Sequence, residues 1–309
     1  MAPRPREAPP GTPVSEIARP GASVAPAQQV SLHATTVPRS FVAVVYHDVH
    51  PGDVFSYGSL GRSATMYHVS ERVFRSQLDV IQAAGVSSLG EAALRACLGG
   101  AGTLDGPGCV LTFDDGWRGA VECAAPILAE RGITAFFFVV SGFIGRRFFA
   151  DQEGLRRLDP SLFTIGSHGV THRMLSSLAS QEIFAELSDS RRRLEDLLGR
   201  AVRCLSIPGG AVDRRVLEIA GAVGYDCVFT STLGINPTAL GRRGIARIGA
   251  RQSTDAATLR RWLAGDLRRE RARAALLAVP KRLLGMRRYL KLRRALLAES
   301  VGHEQFFEP

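Results

Sequence analysis

Two short stretches of this chain bring ionisable side chains close enough to act together. Thr112-Phe113-Asp114-Asp115-Gly116 ends an apolar run in two adjacent carboxylates and a glycine. Successive side chains of an extended segment point to opposite sides. Asp114 and Asp115 therefore enter one site only if the backbone turns there, which Gly116 permits. Two carboxylates held close resist joint ionisation unless a cation lies between them. The competing reading is a strand-to-helix turn in which Asp115 caps a helix beginning near Trp117. Ser167-His168-Gly169-Val170-Thr171-His172 follows another apolar run and carries two histidines four residues apart. In a helical turn that spacing puts both imidazoles on one face, within reach of one ion. One carboxylate with two imidazoles leaves the remaining positions of a divalent metal open for water and substrate. Zinc suits this set, and cobalt, nickel or iron fit the same geometry. Such an ion polarises a carbonyl and lowers the pKa of water from about 15.7 to as low as about 7. The other carboxylate is then free to take a proton, so hydrolysis is the expected chemistry.

Elements must deliver these groups to one place. Continuous β-branched and aromatic runs at 41–46, 109–113, 134–140, 163–166, 204–207 and 226–230 predict strands buried on both faces. Helical spacing predicts helices over 73–84, opened by Ser70 and Glu71, and over 122–131, 180–198 and 214–223. Gly132, Gly199 and Gly224 close the last three. Strands alternating with helices give βα units and a parallel sheet, as a barrel or a doubly wound sheet. Sites in such folds form at the C-terminal edge of the sheet, where both motifs stand.

The flanks differ in composition. Residues 1–39 hold eight of the sixteen prolines and no apolar period, which predicts a disordered arm. A catalytic-type domain is expected at 40–255 and a basic helical extension at 256–309. Residues 256–298 carry thirteen Arg or Lys against Asp266 and Glu270, so this element holds all the excess of a chain with net charge +10. Leu276, Leu277, Leu283, Leu284, Leu290 and Leu297 form its apolar stripe, and Pro280 predicts a break into two helices. The plain reading is a helical pair that packs its leucines on the barrel and leaves its arginines in solvent, and such a stretch also suits an anionic membrane surface or an acidic glycan. Nucleic acid is not expected, because the core lacks basic and aromatic interleaving. No apolar run of 18 residues predicts a membrane span, and no signal segment is read at the start, so a cytoplasmic or membrane-surface location is expected. The five cysteines are odd in number and form no Cys-x-x-Cys pair, so neither a disulfide framework nor a cysteine zinc site is indicated, and reduced, mostly buried thiols are expected.

TFDDG at 112–116, SHGVTH at 167–172 and SIPGG at 206–210 resemble the first three motifs of the polysaccharide deacetylase family, carbohydrate esterase family 4, also called the NodB homology domain. YHDV at 46–49, FFFVVSGFIG at 136–145 and RIGAR at 247–251 resemble further segments of it, and the likeness runs over 41–265. The resemblance implies an α/β fold, a distorted (β/α) barrel. It implies metal-dependent removal of N- or O-acetyl groups from an acetylated glycan, in exopolysaccharide or cell-envelope metabolism. It makes Asp114 the base and Asp115, His168 and His172 the metal ligands. Pro208, Gly209 and Gly210 would form the substrate and oxyanion turn, with the Gly209 N–H as donor.

The motifs also depart from the family. Its third motif usually has an arginine and a tyrosine where this chain has Ser206 and Gly209, which leaves Asp114 without its usual partner. The late Leu-x-His general acid is absent. Some members are circularly permuted, with that histidine near the start of the domain, and His47 fits that place as general acid. His50 and His68 read as loop residues, and Trp117 as packing beside the site. Two other functions fit the same residues, a carbohydrate-binding relic of the family and an amidohydrolase acting on a small amide.

Overall fold

The computed structural model describes residues 40–52, 67–101, 104, 106–210, 212–240 and 244–276. The expected arm at 1–39, and the basic extension beyond 276 with Pro280, lie outside them. In chain order, β1 (Ser40–Tyr46) and the short β2 (Asp48–His50) precede β3 (His68–Ser70), α1 (Glu71–Ala83) and β4 (Ser87–Ser88). Next come α2 (Glu91–Leu98), β5 (Gly108–Phe113), α3 (Ala125–Glu130), β6 (Ala135–Val139) and α4 (Gln152–Arg157). Then follow β7 (Phe163–Ser167), α5 (Ser180–Leu198), β8 (Cys204–Ser206), α6 (Arg214–Val223) and β9 (Cys227–Phe229). The pairs β10 (Asn236–Pro237) and β11 (Ile248–Gly249) lead to α7 (Ala256–Leu263).

All six expected strands form, and they run in the order β1-β5-β6-β7-β8-β9 with parallel pairing throughout. Helix limits follow the capping residues. The Ser70 hydroxyl accepts from Val73 N–H at 3.4 Å, and the Asp213 carboxylate accepts from Val216 N–H at 2.8 Å. Gly199 and Gly224 end α5 and α6 at φ 66° and 101°. The helix expected at 122–131 instead opens with a π-helical turn at Ala120–Ala124. Both faces of the strands are buried. Val42, Val44, Tyr46, Leu111, Phe113, Phe137 and Ile165 meet helix residues such as Phe74, Leu128 and Leu187 outside the sheet. Phe41, Ala43, Val110, Phe136, Phe138, Cys204, Cys227 and Phe229 fill its inside, with Leu89, Leu94 and Leu98.

The sheet curls into the distorted barrel because one late segment bonds both of its ends. Ile245 N–H donates to Val228 O at 2.7 Å, and Ala250 N–H donates to Val45 O at 2.9 Å. The RIGAR segment, which resembles an end strand, contributes β11 to that closure, paired with Val44 and Val45 of β1. Gly166 leaves room inside, since a Cβ there would stand 2.5 Å from Phe138 Cε1 and 2.8 Å from Cys204 O.

Three sequence readings need correction or completion. His50 and His68 are not loop residues; they lie on the paired strands β2 and β3 and are buried. Their segments are too short to show a period of two. The start of the basic extension packs on the barrel, with Leu259, Trp262, Leu263 and Leu267 in the main core and Leu276 72% exposed beyond it. The cysteines are free, and four of the five are buried. Among the described residues no helix is long and apolar enough to cross a membrane.

Candidate metal centre

The alternation of β5 puts Val110 and Thr112 inside the barrel, and Asp114 continues that inward series just past the strand. Asp115 would point outward if the chain stayed extended. It adopts φ 72° instead, followed by Gly116 at φ 81°. The turn thus begins at the carboxylate residue itself, one position before the glycine expected to make it. A left-handed non-glycine residue costs about 1–3 kcal/mol and persists where its surroundings fix it. Asp115 is no helix cap. Its Oδ2 accepts from the Trp117 indole N–H at 3.0 Å, so Trp117 bonds the site rather than only packing beside it.

His168 follows the inward Gly166 on the next inward position, and its Nδ1 lies 2.7 Å from Ser206 O. A carbonyl only accepts, so Nδ1 carries the hydrogen and Nε2 presents its lone pair. His172 comes back to the same place without the expected helical turn. Residues 168–174 form no helix, and Gly169 at φ 77° and His172 at φ 61° reverse the chain. The two Nε2 atoms stand 3.3 and 3.2 Å from Asp115 Oδ1. An ion with bonds of about 2.0–2.2 Å holds neighbouring ligand atoms about 3.0–3.5 Å apart, which both spacings match. Asp115 Oδ1 is buried and accepts no well-directed hydrogen bond, and such an oxygen fits a cation's ligand. Among the described residues this is the single group of three such side chains, with its ligand atoms within 4.8 Å of one another.

The charges agree with that fit. Burial opposes ionisation of Asp115, but His172 and His168 together outweigh it and hold the carboxyl well below its ordinary value. Burial likewise opposes the charged form of His168, yet the nearby Asp114 and Asp115 charges raise its affinity for a proton.

Asp114 does not lack an arginine. Arg247, on the closing segment, points Nη1 at Asp114 Oδ1 and Nη2 at Oδ2, both at 2.8 Å. Its Nε donates to Thr230 O at 2.9 Å and its Nη2 also to Ser206 Oγ at 2.8 Å. Ser206 Oγ in turn donates to Asp114 Oδ2 at 3.1 Å. The partner missing from the third motif arrives from the opposite end of the fold. Burial raises the Asp114 pKa, but Arg247 and His168 more than offset it, and the carboxyl stays below its ordinary value.

His47 stands just past β1 with its ring 5.0 Å from Tyr67. Its Nδ1 is buried with no hydrogen-bond partner among the described residues. Burial lowers its proton affinity, and Asp115 and Asp114 restore it only in part, so the neutral form is favoured. The expected turn divides by role. Pro208 is buried, and a Cβ on Gly210 would strike Ser231. Gly209, at φ 64°, faces open space apart from Met174 Cε at 4.0 Å from a Cβ there. The structure therefore brings Asp114, Asp115, His168 and His172 together, adds Arg247, Ser206 and Trp117, and leaves Gly209 as the open edge of its turn.

Residues 101–228 match the family model described as "Polysaccharide deacetylase". Over 127 residues the chain is 28% identical to the putative polysaccharide deacetylase YxkH of Bacillus subtilis, covering 41% of this chain and 46% of that protein. Over 117 residues it is 30% identical to the chitooligosaccharide deacetylase of Azorhizobium caulinodans, covering 37% of this chain and 53% of that one. The match thus spans about half the length of these two curated relatives. The fold is shared with the Streptococcus pyogenes deacetylase PplD in complex with acetate, at a TM-score of 0.64 and 22% identity, over 72% of this chain and 97% of that one.

Proposed function

We propose that this chain belongs to the polysaccharide deacetylase family, whose model matches residues 101–228, and that it is a metal-dependent hydrolase that removes acetyl groups, N-acetyl above all, from a polysaccharide or oligosaccharide. One observation carries the reading. Asp115 Oδ1 faces two imidazole Nε2 atoms at 3.2 and 3.3 Å, next to a second carboxylate, Asp114, clamped by Arg247.

Asp115, His168 and His172 would hold a divalent metal, zinc by the chemistry of the set, with cobalt, nickel or iron fitting the same donors. Such an ion supplies Lewis-acid polarisation of an acetyl carbonyl and a water of lowered pKa. Asp114 acts as general base. Arg247 keeps it ionised, and Oδ1, which accepts one bond from Arg247, still has a lone pair to receive a proton, whereas Oδ2 accepts from both Arg247 and Ser206. The Gly209 N–H, at the exposed edge of its turn, donates to the developing oxyanion. His47 protonates the departing nitrogen. Because burial favours its neutral form, the proton it gives must reach it within the cycle. We take 40–255 as the catalytic unit and 256–309 as an extension whose cations in 256–298 suit an anionic membrane surface.

Acetate release from N-acetylated chitooligosaccharides tests the reading. The wild-type protein loaded with zinc releases acetate. Asp114→Asn loses about 10²–10⁴-fold, the contribution of a general base, and keeps its metal. Metal binding without acetate release from any acetylated glycan would instead favour the small-amide hydrolase. Neither metal nor release would leave a carbohydrate-binding relic.

A further inference from the structure

We propose that Glu186, on α5 and outside the ligand set, is the positioning residue that holds His172 and His168 in metal-binding geometry. The inference rests on the metal reading above. Glu186 lies on the core-facing stripe of its helix with Ile183, Leu187 and Leu194 and is only 8% exposed. A buried carboxylate on such a stripe is costly unless its oxygens are satisfied. Here every partner comes from one loop. Oε2 accepts from Val170 N–H at 2.8 Å and from Thr171 N–H at 3.1 Å, and Oε1 accepts from the Thr171 hydroxyl at 2.6 Å.

Those two N–H groups belong to the three-residue bridge between the histidines. Gly169 at φ 77° turns them to the same side, which makes an anion-binding concavity, and Glu186 fills it from behind the site. A second tie from the same helix supports the bridge. Ser190 Oγ lies 2.8 Å from Ser167 Oγ, which accepts from Gly169 N–H at 3.2 Å. The clamp also accounts for the left-handed His172, because a non-glycine residue at φ 61° needs neighbours that over-determine it. Glu186 touches no reacting atom. It acts through the loop, as the outer partners of metal ligands do.

The test is zinc affinity of the full-length protein, measured by competition with a chromophoric chelator, beside the melting temperature of the metal-free form. Glu186→Ala should weaken zinc binding about 10–100-fold. Glu186→Gln keeps the length and one acceptor oxygen and should recover part of that loss. Thr171→Val, at an exposed position, removes only the hydroxyl bond and should weaken binding in the same direction with the metal-free melting temperature unchanged. Wild-type zinc affinity in Thr171→Val and in the folded fraction of Glu186→Ala, with only a lowered melting temperature, would overturn the clamp and leave the metal centre standing. A wild-type protein that binds no zinc would overturn both.

Discussion

Arg247 and Asp114 meet as a two-bond fork inside the barrel, with both N···O distances 2.8 Å and the two residues 133 positions apart in the chain. Arg247 is 3% exposed. Removing two charges from water is expensive, and only good geometry with every proton used offsets it. Thr112, Ser206 and Thr230 take the other guanidinium hydrogens. The pair therefore joins the strand that ends at Asp114 to the segment that closes the barrel.

Arg247→Met should cost about 3–5 kcal/mol, because it leaves a buried carboxylate uncompensated. The folded-state pKa of Asp114 is depressed. Its stabilising contribution is thus present above the ordinary carboxylate value and lost as pH falls through the folded value. Without Arg247, burial raises that pKa. The acidic limb of the rate profile should move to higher pH, and the variant should lose stability to acid at a higher pH than the wild type. Denaturant melts and rate profiles over pH check both. An unmoved acidic limb would remove Arg247 from the base.

Trp117→Phe keeps an aromatic ring, smaller than the indole, beside Phe149 but deletes the N–H that Asp115 Oδ2 accepts. Turnover or metal affinity should fall about 10–100-fold, with little change in melting temperature. Steady-state kinetics and a metal titration on one preparation read both. Unchanged values would return Trp117 to a packing role.

Gly166→Ala should destabilise the barrel by about 1–3 kcal/mol, since the added methyl meets the Phe138 ring and the Cys204 carbonyl. Thermal melts check this. A neutral result would mean that the interior is looser than its contacts imply.

Burial pushes the Cys109 thiol up to about 12, and burial with the nearby Glu71 pushes Cys123 up to about 11. The thiolate is the reactive form. Alkylation of the folded protein at pH 8 should therefore be slow at both, and denaturation should expose all five cysteines. Mass spectrometry of the labelled protein reads each site. Rapid native labelling of Cys109 would show that the barrel opens.

The strands were legible because each buries both faces and so reads as an unbroken apolar run. Phe136, Phe137 and Phe138 belong to the two sides of one strand in alternation. The cluster of Asp115, His168 and His172 was legible from residue type and spacing, although not through the geometry assumed for it. His168 and His172 meet through a left-handed loop, and a spacing of four does not distinguish that from a helical turn. Arg247 was hidden because the contact that defines it crosses the barrel closure, which no local period encodes. Trp117 was hidden for a different reason, since a single indole N–H carries no pattern. Glu186 resembled one more polar residue of an amphipathic helix, and only its burial sets it apart.

The central claim is one divalent ion gripped by Asp115, His168 and His172. Crystals of the protein loaded with zinc, measured at the zinc absorption edge, test it most directly. One anomalous peak within about 2.0–2.2 Å of an Asp115 carboxylate oxygen and both Nε2 atoms is the predicted result. Zinc bound elsewhere, or no peak between these three side chains, would contradict it.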